Sequence, residues 1–315
     1  MASFPRFAFR VVDVAFDWLQ NHYKYENIHV DQDIVYDEAY PDVCALDIYR
    51  QEDKVGVKLP TIINCPGGGY MAGDRKYRKG IASLLVDRLD VCVVNFTYHT
   101  CENYRFPQFT RDAMKAIEWV KEHAEEYHFD LDNLYIMGDS AGAQIAAHSI
   151  TILENPELAE KLGCVRPDVK FKGALLGCGP YDVMYALGTK TIFDLARGIG
   201  NKVLGVDTHD IKNIENFPLK KEISLLEWVT PAFPPAFICH TVGDIVCMDQ
   251  GERLMAALDK NNVPYVSYYS TKKKDFHCWY LVQNNKSAKL VLEEMIAFMQ
   301  MLLSGGTIET KKIVY

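Results

Sequence analysis

The chain has 315 residues, 49% of them apolar and 24% charged, and a net charge of −8. These are the proportions of an ordinary globular protein, long enough for one large α/β domain with an insertion. They argue against nucleic acid and anionic membrane as partners: the only dense cationic run is Lys272-Lys273-Lys274, and no apolar stretch approaches the roughly 18 residues of a bilayer span.

The first ten residues lack the charged start and long apolar core of a signal peptide, so a cytoplasmic location is expected. The nine cysteines are scattered, with no Cys-X-X-Cys pair. Several fall inside apolar strand candidates, where cysteine acts as a small hydrophobe; this suits a reducing compartment, and neither a metal site nor a cofactor is indicated.

In chain order, Val11, Val14, Ala15, Trp18 and Leu19 recur at helical spacing, predicting an amphipathic helix from about Val11 to Tyr25 within an N-terminal helical segment, residues 1–27. Alternation from Ile28 to Tyr36 and from Val43 to Tyr49 predicts two neighbouring strands. Leu59 to Cys65 reads as a short buried strand that empties into Gly67-Gly68-Gly69-Tyr70. A helix from about Lys76 to Arg88 and an apolar strand from Val91 to Phe96 follow, then a helix from Phe109 to Tyr127.

Leu134 to Met137 is a further strand, and it runs directly into Gly138-Asp139-Ser140-Ala141-Gly142 and a small-residue helix reaching about Leu153. Strand, Gly-X-Ser-X-Gly turn and helix together form a nucleophile elbow, with serine at the apex. Pro156 and Gly163 punctuate an expected loop, and Phe171 to Cys178 is the next strand.

Residues 181–229 hold short helical patterns and no long strand, which predicts an inserted cap, with an elaborated crossover as the alternative. Strands at Ala236–Thr241 and Val263–Ser270 alternate with helices from about Met248 to Lys260 and Ser287 to Leu303. The alternation gives an α/β fold: a mainly parallel sheet with helices on both faces.

Serine needs a base to take its proton and a group to orient that base. In this architecture both belong on loops at the carboxyl ends of strands, in the chain order serine, acid, histidine. Ser140, Asp244 and His277 meet both demands. Asp249 lies where a helix cap is expected, Asp275 is too near His277 to orient it, His240 falls within a strand, and Asp112 sits among charged neighbours on a helix. The N–H groups of Gly68, Gly69 and Ala141 are the expected oxyanion donors. Asp139, beside the serine, is expected either at the substrate or tying down the neighbouring loops.

The stretches Cys65-Pro66-Gly67-Gly68-Gly69-Tyr70, Arg105-Phe106-Pro107-Gln108-Phe109-Thr110-Arg111-Asp112-Ala113, Gly138-Asp139-Ser140-Ala141-Gly142-Ala143 and Pro234 to Asp244, with His277, resemble an α/β-hydrolase esterase. The resemblance spans about residues 43 to 303. It is nearest to the carbohydrate-esterase-like branch of acetyl-xylan and feruloyl esterase-like proteins, and related to hormone-sensitive-lipase-like esterases. The latter usually open the glycine loop with His, where this chain has Pro66; Cys278-Trp279 stands where such enzymes often carry Gly.

The resemblance implies a serine esterase that removes small acyl groups, acetyl on a sugar or xylo-oligosaccharide, from a small-molecule ester. An amidase, formamidase or peptidase of the same fold and a non-catalytic binding protein are the alternatives. Tyr70, Tyr185, Phe193 and Trp279 complete the expected substrate wall, with packing as the alternative for Trp279. Both a monomer and a homodimer stay open.

Overall fold

The computed structural model describes residues 17–188 and 195–315. The expected helix positions Val11, Val14 and Ala15 and the expected wall residue Phe193 lie outside them. Residues 17–21 are helical. Nine strands form one sheet: β1 (Ile28–Val35), β2 (Ala45–Gln51), β3 (Leu59–Cys65), β4 (Cys92–Phe96), β5 (Phe129–Asp139), β6 (Phe171–Gly177), β7 (Ala236–Thr241), β8 (Tyr265–Ser270) and β9 (Lys311–Val314). Their order is β1-β2-β4-β3-β5-β6-β7-β8-β9. The pairs β1–β2 and β2–β4 are antiparallel, and every other pair is parallel.

The central strands are apolar on both faces, and alternate residues enter different cores. Ile63, Val94 and Ile136 join one cluster, while Ile62, Val93 and Tyr135 join the other. The first is covered by α2 (Gln108–Glu122), α3 (Ala141–Glu154) and α9 (Gln250–Lys260), through Ile117, Ile145 and Leu254 among others. The second is covered by α1 (Lys79–Arg88) and α10 (Lys286–Leu303), through Leu85, Val291 and Met295.

Two elements depart from the expected chain order. Residues expected as a loop form α4 (Pro156–Leu162). Proline occupies its first turn and Gly163 closes it in the left-handed region at φ 61°, so the two residues read as breakers are its start and stop. Strand β9 was not foreseen. It is short, carries Lys311 and Lys312, and pairs with β8 at the sheet's edge, a position that does not require the apolar run of a central strand.

Between β6 and β7 the described residues hold α5 (Val183–Gly188), α6 (Leu195–Leu204), α7 (Ile211–Glu215), α8 (Lys220–Ile223) and a 3-10 turn at Leu225–Trp228. Leu187, Val203, Ile214, Ile223 and Leu225 are buried in the core cluster under α2 and α3. Phe106, in the loop after β4, donates its N–H to Val203 O at 2.9 Å and ties α6 to the body.

The parallel register brings the carboxyl ends of β3, β5, β6, β7 and β8 to one edge, and the turn after β5 is tightly packed there. A Cβ on Gly138 would stand 2.3 Å from Gly142 O, and one on Gly142 would stand 2.0 Å from Cys65 O. Both contacts are with backbone, which cannot rotate away. Gly142→Val is therefore expected to lower stability by about 3 kcal/mol, the upper end of overpacking costs, read as a lower urea midpoint at unchanged slope.

Candidate active site

Ser140 follows the last residue of β5 and precedes the first residue of α3. Its backbone stands at φ 53°, ψ −126°, a sparsely populated region for a residue with a side chain. Its N–H donates to Gly177 O at 2.7 Å, so β6 helps hold the turn. α3 is buried along nearly its whole length and directs its N-terminal N–H groups to the space beside the serine.

His277 comes from the loop after β8. Its Nε2 lies 2.7 Å from Ser140 Oγ and its Nδ1 lies 2.8 Å from Asp244 Oδ2. Asp244 is buried in the loop after β7, and its Oδ1 accepts the N–H groups of Val246 and Cys247, both at 2.8 Å. Burial raises the Asp244 pKa, but the charge and hydrogen bond of His277 and these two N–H groups outweigh it and hold the carboxyl below its ordinary value. Burial lowers the His277 pKa; the Asp244 charge and hydrogen bond, with Cys178 and Asp139 adding to them, reverse that and raise it to about 9. The sequence alone gives the unperturbed value of about 6.5.

Three of the four rival residues are engaged elsewhere. Asp249 stands before α9 in the left-handed region, with no side-chain cap bond. Asp275 is buried and accepts the hydroxyls of Ser270 at 2.5 Å and Ser287 at 2.6 Å. His240 packs tilted against the Tyr269 ring and lies 3.4 Å from Glu252. Asp112 is buried and accepts both the N–H and the ring Nδ1 of His99 at 2.8 Å.

The glycine loop after β3 lies against the elbow. Gly68 adopts φ 136°, and a Cβ there would meet the Ala72 backbone at 2.4 Å. Among the described residues, the N–H groups of Gly68, Gly69 and Ala141 donate to no protein acceptor. The loop's anchor is Asp139, which accepts Gly67 N–H at 3.2 Å and pairs in two-pronged fashion with Arg78, Nε to Oδ1 and Nη2 to Oδ2, both at 2.6 Å. Asp139 therefore faces Arg78 and the loop, and its place among substrate-binding residues is corrected: its oxygens are already committed. Arg78 was missed, because no motif marks a cation 61 residues from its partner.

A cavity of about 60 Å³ opens beside Ser140. Gly69, Tyr70 and Ala141 line it, and so do Val183, Ala186 and Leu187 of α5, Ala196, Ile199, Gly200 and Val203 of α6, and Pro180 and Val246. Tyr70 also donates its hydroxyl to Gln144 Oε1 at 3.2 Å.

Two expected wall residues are elsewhere. Tyr185 turns to the opposite face of α5, with the Arg253 guanidinium 3.2 Å from its ring centre, and Leu187 takes the inward position. Trp279 is fully buried against Tyr280 in the core under α1 and α10, so packing is its role and substrate stacking is corrected.

The BD-FAE family model matches residues 46–258. Esterase LipQ of Mycobacterium tuberculosis is 28% identical over 229 residues, which are 71% of this chain and 51% of LipQ. The ethyl acetate hydrolase of Pseudomonas putida is 33% identical over 115 residues, 36% of this chain and 35% of that protein. The chain thus spans about half or less of the length of these curated relatives. The crystal structure of esterase B from Lactobacillus rhamnosis superposes with a TM-score of 0.78 at 19% identity, covering 96% of this chain and 97% of that one. At that identity the match establishes the fold, an α/β-hydrolase.

The buried Arg78–Asp139 pair holds both the glycine loop and the elbow. Removing one partner leaves an uncompensated charge, so Arg78→Met is expected to cost about 3–5 kcal/mol. Arg78→Met with Asp139→Leu should recover most of that loss, and urea unfolding of the three variants tests the coupling.

Proposed function

The chain belongs to the BD-FAE family, and from that premise and the hydrogen-bonded chain through Ser140, His277 and Asp244 we propose that it is a serine hydrolase of carboxylic esters. The observation that carries the reading is the continuity of the three side chains, at 2.7 and 2.8 Å, ending at a serine that opens onto a cavity. Ser140 attacks the ester carbonyl while His277 Nε2 takes its proton. Asp244 holds the imidazole tautomer and balances the charge that forms. The unpaired N–H groups of Gly68, Gly69 and Ala141 receive the developing oxyanion. His277 then protonates the leaving alcohol, and water repeats the cycle on the acyl-enzyme.

The acyl side is small and apolar. A cavity of about 60 Å³ walled by Val183, Leu187, Ile199 and Val203 favours a short chain such as acetyl, and among the described residues its lining carries no charged side chain. The ethyl acetate hydrolase among the relatives supports the same size class. On this reading α5 and α6 act as a cap over the serine. An acetylated sugar or xylo-oligosaccharide as the alcohol side rests on the sequence resemblance; with Trp279 buried, stacking on that residue does not support it.

Ser140→Ala is expected to lower kcat by about 10⁴ to 10⁶ with the fold intact. A variant that keeps wild-type turnover on p-nitrophenyl acetate overturns the mechanism. Asp244→Asn should cost about 10⁴, and Asp249→Asn little. Leu187→Ala should shift preference from acetyl toward longer acyl groups, measured as the ratio of kcat/KM for acetate and octanoate esters.

The base must be the neutral imidazole. With its pKa raised to about 9, His277 is mostly protonated at pH 7, so kcat/KM should climb with pH through the neutral range and level off only near 9. A plateau already reached at pH 7 would contradict the raised value.

A further inference from the structure

All nine cysteines are free. Cys178, Cys247 and Cys278 have sulfurs near one imidazole, and Cys239 contacts Cys178. Cys178 follows β6, Cys239 lies in β7, Cys247 follows Asp244, and Cys278 is next to His277. Cys178 donates its N–H to Cys239 O at 2.9 Å. The Sγ atoms of Cys178 and Cys278 and a ring nitrogen of His277 all lie within 4.8 Å of one another. Cys178 and Cys278 both adopt left-handed backbone, at φ 51° and φ 56°.

As small hydrophobes, these residues would require only volume. Two sulfurs and an imidazole nitrogen within 4.8 Å of one another also match, in type and number, three of the four donors of a tetrahedral thiolate site. With metal–sulfur bonds of about 2.3 Å and metal–nitrogen bonds of about 2.0 Å, neighbouring donors stand roughly 3.5–3.8 Å apart. The observed spread exceeds that by about one ångström at most. Thiolate and imidazole together select soft and borderline cations over Mg²⁺ or Ca²⁺.

The two proposed thiol ligands differ in their electrostatics, and the site rests on the geometry. Hydrogen bonds from the Cys239 and Cys278 thiols hold Cys178 well below the usual thiol range, against its burial. Burial, with Cys178 alongside, pushes Cys239 and Cys278 well up. A second set, Asp244, Cys247 and His277, also lies within 4.8 Å; its carboxylate is held by His277 and two backbone N–H groups, and His277, shared by both sets, bonds Asp244 and Ser140 through its two ring nitrogens, so binding at either set displaces one of these bonds.

We propose that Cys178, Cys278 and His277 form a binding site for a thiophilic divalent cation, of which Zn²⁺ is the type, and that its occupancy silences the ester-hydrolysing centre. Binding releases the thiol protons and the imidazolium proton of His277 to solvent, and uses the lone pair so freed on one imidazole nitrogen. If that nitrogen is Nε2, Ser140 loses its base; if it is Nδ1, the bond to Asp244 is lost. The silencing half rests on the function proposed above, and the binding half does not.

The test uses metal-free full-length protein kept reduced with a phosphine. Co²⁺ serves as a probe, read by its thiolate charge-transfer absorption, and Zn²⁺ is used to displace it. Wild type and Cys247→Ser should give the band at one equivalent. Cys178→Ser and Cys278→Ser should lose it or bind at least about tenfold more weakly. Far-UV circular dichroism checks that each variant is folded, and Cys278→Ala is held in reserve for either that is not.

In parallel, Zn²⁺ should suppress hydrolysis of p-nitrophenyl acetate by the wild type, with recovery on adding EDTA. Each thiol variant, compared with its own metal-free rate, should need at least about tenfold more Zn²⁺. No band in the wild type, or a band lost only in Cys247→Ser, overturns the site. A band with hydrolysis unaffected overturns the silencing. A band in a protein that shows no hydrolysis without metal leaves the site standing and removes the esterase reading.

Discussion

The elbow at Ser140 is the constraint on which the rest of the site depends. A residue with a side chain held at φ 53°, ψ −126° persists only where its surroundings leave it no alternative. Three neighbours supply that restraint. Gly177 O fixes the serine N–H, the backbones of Gly138 and Gly142 close to within the reach of a methyl group, and Cys65 O lies over Gly142. Each belongs to a different strand or helix. The serine is thus pinned by the parallel register of β3, β5 and β6 together.

Two buried carboxylates flank this turn, and they differ in their partners. Asp139 faces a guanidinium, which stays charged at any working pH, so the pair is a permanent tie between the elbow and the glycine loop. Asp244 faces an imidazole, whose charge changes as it takes and gives a proton. On the proposed mechanism only the second arrangement can move a proton. The first gives the N–H groups of Gly68, Gly69 and Ala141 a fixed geometry, which matters because preorganised dipoles stabilise charge without rearranging when it forms.

What could be read from the sequence follows from how local each signal is. Ser140, Asp244 and His277 stand on loops directly after strands whose apolar runs are plain, and the helix start at Asp249 and the closeness of Asp275 to His277 left Asp244 as the expected acid. Gly67-Gly68-Gly69 and the glycines of the elbow are equally local. Arg78 could not be found, because only the fold brings it to Asp139. Tyr185 and Trp279 were placed at the substrate on chemical type, and burial and helix face, which are tertiary properties, decided otherwise. The same limit hid the thiols around His277, since a search for metal ligands by spacing looks along one element, whereas Cys178, Cys239 and Cys278 come from three.

The division of labour between sheet and insertion has a consequence for specificity. The reacting groups and the proposed oxyanion donors sit on the sheet's carboxyl edge, in loops braced by buried backbone contacts. Much of the apolar wall comes from α5 and α6, between β6 and β7, where Val183, Ala186 and Leu187 meet Ile199, Gly200 and Val203. Gly200 allows that meeting: a Cβ there would stand 2.2 Å from Leu187 Cδ2. Side-chain size at this helix contact sets the space left above the serine without touching Asp244 or the elbow. On the proposed function, the wall can therefore change while the chemistry beneath it stays fixed, so that one scaffold accommodates different acyl groups.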